Sequence, residues 1–460
     1  MSTLASAIKW IKKDRVDPIL KKARSIALCA FVSHIWKARN AFIFDGTPFT
    51  EEAIFHKIQK HINKIIAFLL LDAQKTIGQN PPPRSSTHLT MAEKESSPSE
   101  TSLISNKEET PNGNTFDFKK GVKNRFETSP HMKKLPPEFV LQLERNPLSA
   151  TLAEIPVIDL SGLNCPSEIR TSTVKAISSA CELWGFFMIT NHGIKMSLIE
   201  EMLGVAQEFF DLNLSEKMKY ASEDVMSPVR YGTSLNTSKK HNLHWRDYFR
   251  HYGHPFQHSF HLWPVNPPKY RNVAKEYLEE IWQLAMKLGG AISEGLGLEN
   301  GYIEKSMGEG LQILAANYYP PCPEPDKTLG LAAHSDHGGL TILMQNGVDG
   351  LQIKHNGEWF SVQHVPGTFL VNIGDYLEIL SNGKYKSVEH RATVNAQKTR
   401  ISVAVGHGPE LKSPIKPASP LVDEREGIHY RPITYQDYIR LQQSITTRGK
   451  NALQAVLINK

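Results

Sequence analysis

Cysteine is scarce in this 460-residue chain: Cys29, Cys165, Cys181 and Cys322 are the full set, and no two form a CxxC pair. That excludes a zinc knuckle and a disulfide framework as organising elements, and free thiols fit a reducing compartment. Long apolar runs are also missing. The longest, residues 65–71, is far short of the ~20 residues that span a bilayer. The N-terminus has no apolar stretch of signal-peptide type, so a cytoplasmic protein without a membrane association is expected. A strong charge of one sign is absent from most of the chain. The net charge is +6, but residues 1–75 carry 13 Lys and Arg against six Asp and Glu, which leaves the remainder at −1. The basic balance therefore belongs to the N-terminal piece and gives no reason to expect nucleic-acid binding by the rest.

What is present suits a soluble globular protein: 40% hydrophobic and 22% charged residues. Three zones follow one another. Residues 1–75 form a basic segment in which Thr50, Glu51 and Glu52 read as a helix start, with Ile54, Ile58, Ile62, Ile65 and Leu69 at helical spacing. Residues 76–115 are dominated by Pro, Ser, Glu and Asn. They cannot bury enough apolar surface to offset ordering entropy, so a disordered linker is expected. The third zone, 116–460, divides into an α/β region over 116–260 and a strand-rich region over 261–460. Its first part alternates helical stretches (167–183, 195–212, 270–296) with strand-like IPVIDL and GFFMIT. After residue 311 short strands follow in series: LQILAANYY, LTILMQ, LQIK, EWFSV, TFLVNIG, YKSVEHRATV and RISVAVG. Asn346-Gly347, Asn356-Gly357 and Asn382-Gly383 mark tight turns between them. The expected fold is α+β, mainly β: a jelly-roll or double-stranded β-helix core with flanking helices.

His334-Ser335-Asp336 places two metal-binding side chains at i and i+2, on one face of a strand with Cα atoms roughly 6–7 Å apart. His390 is placed to supply a third ligand. Two imidazoles and one carboxylate leave three coordination positions open, which suits ferrous oxygenases. An HxD triplet arises by chance in a chain with 19 His, and His337, His355 and His364 read as surface or turn histidines. Arg400 and Ser402 strengthen the metal reading. They share a strand face, and a guanidinium fork with a hydroxyl beside it can hold a carboxylate. The segment between His390 and Arg400 can finish a strand, turn and cross the ~10 Å gap to a facing sheet. A dicarboxylate would then bridge the metal and Arg400. An exposed salt bridge is the competing reading for Arg400. Tyr319 reads either as a donor to the same carboxylate or as a packed core tyrosine.

The segments IPVIDL, WGFFMITNHG, NYYPPCPEPD, HSDHGGLTIL, VNIGDYLEILSNGKYKSVEHR and TRIS resemble the plant 2-oxoglutarate-dependent dioxygenases of specialised and hormone metabolism. The resemblance covers about 116–445, and it includes the spacing HxD, 53 residues, His, nine residues, RxS. YGTSLNTSKKHNLHWRDYF is similar to the flavonoid oxygenases and, more closely, to the lateral branching oxidoreductase group. The resemblance implies Fe(II) held by His334, Asp336 and His390. It implies 2-oxoglutarate held by Arg400 and Ser402, with Asn317 and Tyr319 in contact with it, O2 as cosubstrate, and stimulation by ascorbate. It also implies hydroxylation of a small organic substrate by a monomeric enzyme, with release of succinate and CO2. Desaturation or demethylation would be variants, and a silent ligand-binding member is the alternative. Tyr231, Trp245, Phe249, Phe369 and Tyr376 are candidates for the substrate walls, each also readable as core packing. The segment HIWKARNAFIFDG resembles a stretch near the ends of plant retrotransposon reverse transcriptases. Residues 1–90 are therefore expected to be a transposon-derived fusion or a gene-prediction artefact, with Met91 as the natural start. A basic partner-binding or targeting segment is the alternative, which Asp14 and Asp17 disfavour for a transit peptide.

Overall fold

The structure, a computed structural model, describes residues 121–458 apart from 130, 144–145, 235–242 and 445–448, all within one compact unit, Thr110–Lys460. The basic segment, its helix, the linker and the transposon-like stretch lie outside the described residues.

Helix α1 (Val122–Thr128) opens the described chain, and its first amides are held from far away in sequence. Asp247 accepts from Val122 N at 2.8 Å and from Lys123 N at 2.9 Å, which satisfies donors that a helix start leaves open. Helices α2 (Ser167–Leu183), α3 (Met196–Asp211) and α4 (Tyr270–Gly295) follow, close to the expected bounds. On α4, Tyr270, Ala274, Tyr277, Ile281, Leu284 and Leu288 recur at helical spacing and are all buried. Full burial of each such apolar side chain contributes about 1.5–3 kcal/mol.

The first five strands are β1 (Thr151–Leu152), β2 (Val157–Asp159), β3 (Phe186–Thr190), β4 (Val229–Thr233) and β5 (Asp247–Tyr252). The serial strands are β6 (Leu311–Tyr319), β7 (Leu331–His334), β8 (Leu340–Gln345) and β9 (Leu351–His355). They continue as β10 (Glu358–Val362), β11 (Phe369–Ile373), β12 (His390–Ala392) and β13 (Arg400–Gly408). They form a five-stranded sheet, β1-β10-β9-β12-β7, and an eight-stranded sheet, β2-β3-β11-β8-β13-β6-β5-β4. This is the expected double-stranded β-helix core with flanking helices. The larger sheet takes strands from both sides of residue 260.

Strand alternation gives the larger sheet two faces. On β13, Ile401, Val403 and Val405 are buried in the main core, against which α3 and α4 pack. Arg400, Ser402 and Ala404 point the other way, into a cavity. The Asn356-Gly357 signal proved to be a hairpin, with φ of 49° and 83° between β9 and β10. Asn382-Gly383 did not. A short helix, α5 (Asp375–Leu380), stands where only strands were expected, and Asn382 and Gly383 (φ 53° and 87°) end it, with Gly383 N donating to Glu378 O at 2.8 Å. The same left-handed pair serves a helix end as well as a hairpin.

Candidate metal and dicarboxylate site

The sheets bring three distant parts of the chain to one point. His334 closes β7 and lies directly opposite His390 on β12, with ring centroids 4.2 Å apart. Asp336 is not on the strand, as alternation had placed it. It sits just beyond, in the loop that carries the chain from β7 in the small sheet to β8 in the large one. Its Oδ1 is 3.7 Å from Nε2 of each histidine, and one donor atom from each residue lies within 4.8 Å of the others.

Each donor is aimed by a neighbour. Nδ1 of His334 donates to Ala332 O at 2.8 Å, and Nδ1 of His390 to Val388 O at 3.1 Å. Both Nε2 lone pairs are thereby turned to the common point. Burial, reinforced by His390, lowers the His334 pKa to about 4, so the ring is neutral at pH 7, the form that ligates metal. Asp336 Oδ2 accepts from Thr341 Oγ1 at 2.6 Å and Asn372 Nδ2 at 2.9 Å. Burial opposes ionisation here, but His390, His334 and these bonds hold the carboxyl well below the usual range. Oδ1 remains free to face the imidazoles. The donor set is the pair of imidazoles and one carboxylate that a ferrous oxygenase centre requires.

Behind the loop the packing is tight. Asp375 N, at the start of α5, donates to Asp336 O at 2.7 Å, and Ser335 Oγ donates to Asp375 Oδ2 at 3.0 Å. A Cβ on Gly374 would stand 2.2 Å from Gly338 O, so this close approach needs glycine.

Arg400 and Ser402 are each 2% exposed and line the same cavity of about 240 Å³. Their register partners on β6 are Tyr319 and Asn317, so the four expected contact residues form one block. Arg400 reaches Gln345 Oε1 through Nε (3.2 Å) and Nη2 (2.8 Å), and its guanidinium lies 5.0 Å from the Tyr319 ring centre. Among the described residues it forms no ion pair. A buried guanidinium satisfied only by neutral groups fits the far carboxylate of a dicarboxylate anchored at the metal point. Asn317 is itself held, its Oδ1 accepting from Arg246 Nη1 at 2.9 Å.

The expected substrate walls do not reach the cavity. Tyr231, Trp245, Phe249, Phe369 and Tyr376 are at most 3% exposed and pack in the core. On β5 the cavity face is instead Tyr248, Arg250 and Tyr252. An apolarity criterion picks the wrong face of that strand, although its period-two pattern holds the signal. His337 is not a surface residue either: it lines the cavity, and its Nδ1 meets Tyr435 Oη at 2.7 Å. His355 stacks on Trp184 at 4.2 Å, and His364 is half-buried. Among the described residues no helix is long and apolar enough to cross a membrane.

A sequence model of the 2OG-Fe(II) oxygenase superfamily matches residues 310–409. A second, described as the N-terminal region of a non-haem dioxygenase in morphine synthesis, matches residues 155–269. Protein DOWNY MILDEW RESISTANCE 6 of Arabidopsis thaliana is 40% identical over 332 residues, 71% of this chain and 96% of that protein. Flavanone 3-dioxygenase 2 of Oryza sativa subsp. japonica is 42% identical over 300 residues, 65% of this chain and 86% of that protein. Among solved structures, JOX2 in complex with 2OG, Fe and JA superposes with a TM-score of 0.68 at 34% identity, covering 74% of this chain and 98% of that one.

Proposed function

Because the chain belongs to the 2OG-Fe(II) oxygenase superfamily, we propose that His334, Asp336 and His390 hold its iron while Arg400 and Ser402 grip 2-oxoglutarate. The protein is a 2-oxoglutarate-dependent dioxygenase, and its family uses Fe(II), 2-oxoglutarate and O2. The finer reading is hydroxylation of a small plant metabolite or hormone precursor. The names of relatives point the same way, one being a flavanone dioxygenase. When bound, iron and 2-oxoglutarate supply the oxidising power, with O2 consumed and succinate and CO2 released.

The chain's own residues bind and orient. The imidazoles of His334 and His390 and Asp336 Oδ1 would hold the metal, and the cavity beside them would receive the cosubstrates. Arg400, fixed by Gln345 and Tyr319, presents its fork to the distal carboxylate, and Ser402 adds a hydroxyl. Tyr319 and Asn317 stand beside them on the neighbouring strand and extend the same wall. Leu331, Leu343, Leu351 and Leu370 line the same cavity and keep its wall apolar.

The observation that carries this reading is the meeting, in one cavity, of a His-Asp-His donor set with a buried arginine that has no acid partner among the described residues. The test is succinate release by the purified full chain with Fe(II), 2-oxoglutarate and ascorbate, offering flavanones, flavonols, coumarins and hormone precursors. A product heavier by one oxygen atom is expected; one lighter by two hydrogens would identify desaturation instead. Asp336→Ala should reduce metal-dependent succinate release to background while far-UV circular dichroism stays native. Turnover surviving that change would sink the assignment.

A further inference from the structure

The cavity holds more positive charge than the reading above uses. Five arginines are among the described residues that line it, Arg230, Arg246, Arg250, Arg391 and Arg400, against a single acidic residue, Asp336. Arg400 is assigned to 2-oxoglutarate. Arg391 lies 4.1 Å from the Trp359 ring centre and donates to Gln352 Oε1 at 2.8 Å. The other three cluster on the side built by β4 and β5.

Arg230 and Arg250 are direct register partners across these antiparallel strands, which places their Cβ atoms about 5 Å apart. Like charges in that position destabilise a sheet, and partial burial raises the cost unless an anion pairs with them. Each has a backbone carbonyl as its hydrogen-bond partner. Arg230 Nε donates to Ser222 O at 2.7 Å, and Arg250 Nη2 donates to Val225 O. Neither forms an ion pair among the described residues. Arg246 stands beside them. The guanidinium groups of Arg246 and Arg230 lie 5.0 and 5.8 Å from the Tyr248 ring centre. Arg246 is 4% exposed, and its Nε is buried without a partner. The one cavity carboxylate is already committed, with Oδ2 held by Thr341 and Asn372 and Oδ1 turned to the imidazoles. Among the described residues no further carboxylate lines the cavity to balance this cluster, which suits it to an anion brought by a ligand.

The floor beside the cluster is open. Ala315 is the register partner of Arg250, and Ala404 is the register partner of Ala315. Both line the cavity, in the row next to Asn317 and Ser402. These small side chains leave room for an apolar body lying between the arginine pair and the metal-binding residues.

We propose that the organic substrate is a carboxylic acid, its carboxylate held between Arg230 and Arg250 and its apolar body lying over Ala315 and Ala404 toward His334 and Asp336. The proposal rests on the dioxygenase reading for what happens to that acid, not for how it binds. Carboxylate is favoured because two planar forks can each meet it with paired N–H groups.

The test compares 3-phenylpropanoate, phenylacetate and decanoate with their primary amides. Binding is measured by titration calorimetry on the full chain with Fe(II) and 2-oxoglutarate under nitrogen, and succinate release is then read in air. At least one acid should bind about ten-fold or more tightly than its amide, the worth of one charge-assisted bond. The Arg230→Gln, Arg250→Gln double variant should erase that preference, whereas Arg250→Lys, which keeps the charge and loses the fork, should retain part of it. Because the double variant removes two facing like charges, its melting temperature should not fall; a fall together with loss of binding would mark the pair as structural and overturn the proposal. Equal binding of acid and amide for all three probes would overturn it as well, as would a preference that survives in the double variant. Acid preference without any 2-oxoglutarate turnover would remove the enzymatic reading and leave the anion site standing.

Discussion

Arg400 gives its hydrogen bonds to Gln345, a neutral side chain, and forms no ion pair among the described residues, which leaves its charge uncompensated there. Arg400→Lys replaces a fork with a point charge, and the 2-oxoglutarate concentration for half-maximal succinate release should rise on the order of ten- to a hundred-fold. A change confined to the organic substrate's KM would show that the residue had been misassigned. Asn372 and Thr341 act one step back, on Asp336 Oδ2. Asn372→Ala should raise the iron concentration required by about ten- to a hundred-fold, the usual cost of losing a partner that orients a metal ligand, read by metal titration of activity. The two kinds of residue differ in how they could be found. His334, His390, Arg400 and Ser402 carry their chemistry in residue type and spacing. Asn372 and Thr341 are ordinary strand residues whose role exists only after β11 and β8 have been laid beside the Asp336 loop. The arginines at 230, 246 and 250 were equally hidden, because their cavity-facing side chains lie among apolar positions of the opposite face.

Strand alternation explains both the success and the failure at the scale of single elements. It placed Arg400 and Ser402 on one face of β13, where they are. It could also have placed Tyr248, Arg250 and Tyr252 on one face of β5, but apolarity drew attention to Phe249 on the other. Helix α5 escaped notice because its six residues are all buried, so no polar face gives it a helical period. Its N-terminal turn holds the loop that carries Asp336, through Asp375 N to Asp336 O and Tyr376 N to Gly338 O. Gly374→Ala should push Cβ into Gly338 O, 2.2 Å away, and displace the segment carrying Asp336. A loss of about 1–3 kcal/mol in unfolding free energy is expected, as for other overpacked sites, with weakened metal affinity in the same variant. Unchanged stability and unchanged metal affinity together would show that the loop accommodates a methyl group and is not clamped there.

At the scale of the whole molecule the sequence conveyed the strand series, the three long helices and the crossing from one sheet to the other between His390 and Arg400. It did not convey which strands pair, since an order such as β3-β11-β8-β13-β6 depends on long-range contacts without local signature. The assembled core also buries titratable groups. His251 and His407 are held neutral, burial taking each pKa from 6.5 to about 4. Between those values the unfolded chain binds more protons than the folded one, so stability is present near neutrality and is lost as pH falls through that window. Buried Asp375, raised from 3.8 to about 6, and buried Asp247, raised as well, slope the opposite way, but burial also lowers His244 and His337, and these four imidazoles outweigh the two carboxyls. The urea midpoint should therefore be lower at about pH 5 than at about pH 7, by on the order of a few kcal/mol in unfolding free energy. A flat profile would mean that these rings are protonated in the native state. The position of Asp336 has a last consequence. Its loop is the bridge between two leaves of the sandwich, the two histidines it faces lie on one leaf, and its hydrogen-bonding partners, on β8 and β11, lie on the other. An ion seated there would rivet the leaves together, so chelation should lower the melting temperature, and the drop should deepen with the logarithm of the metal concentration withdrawn.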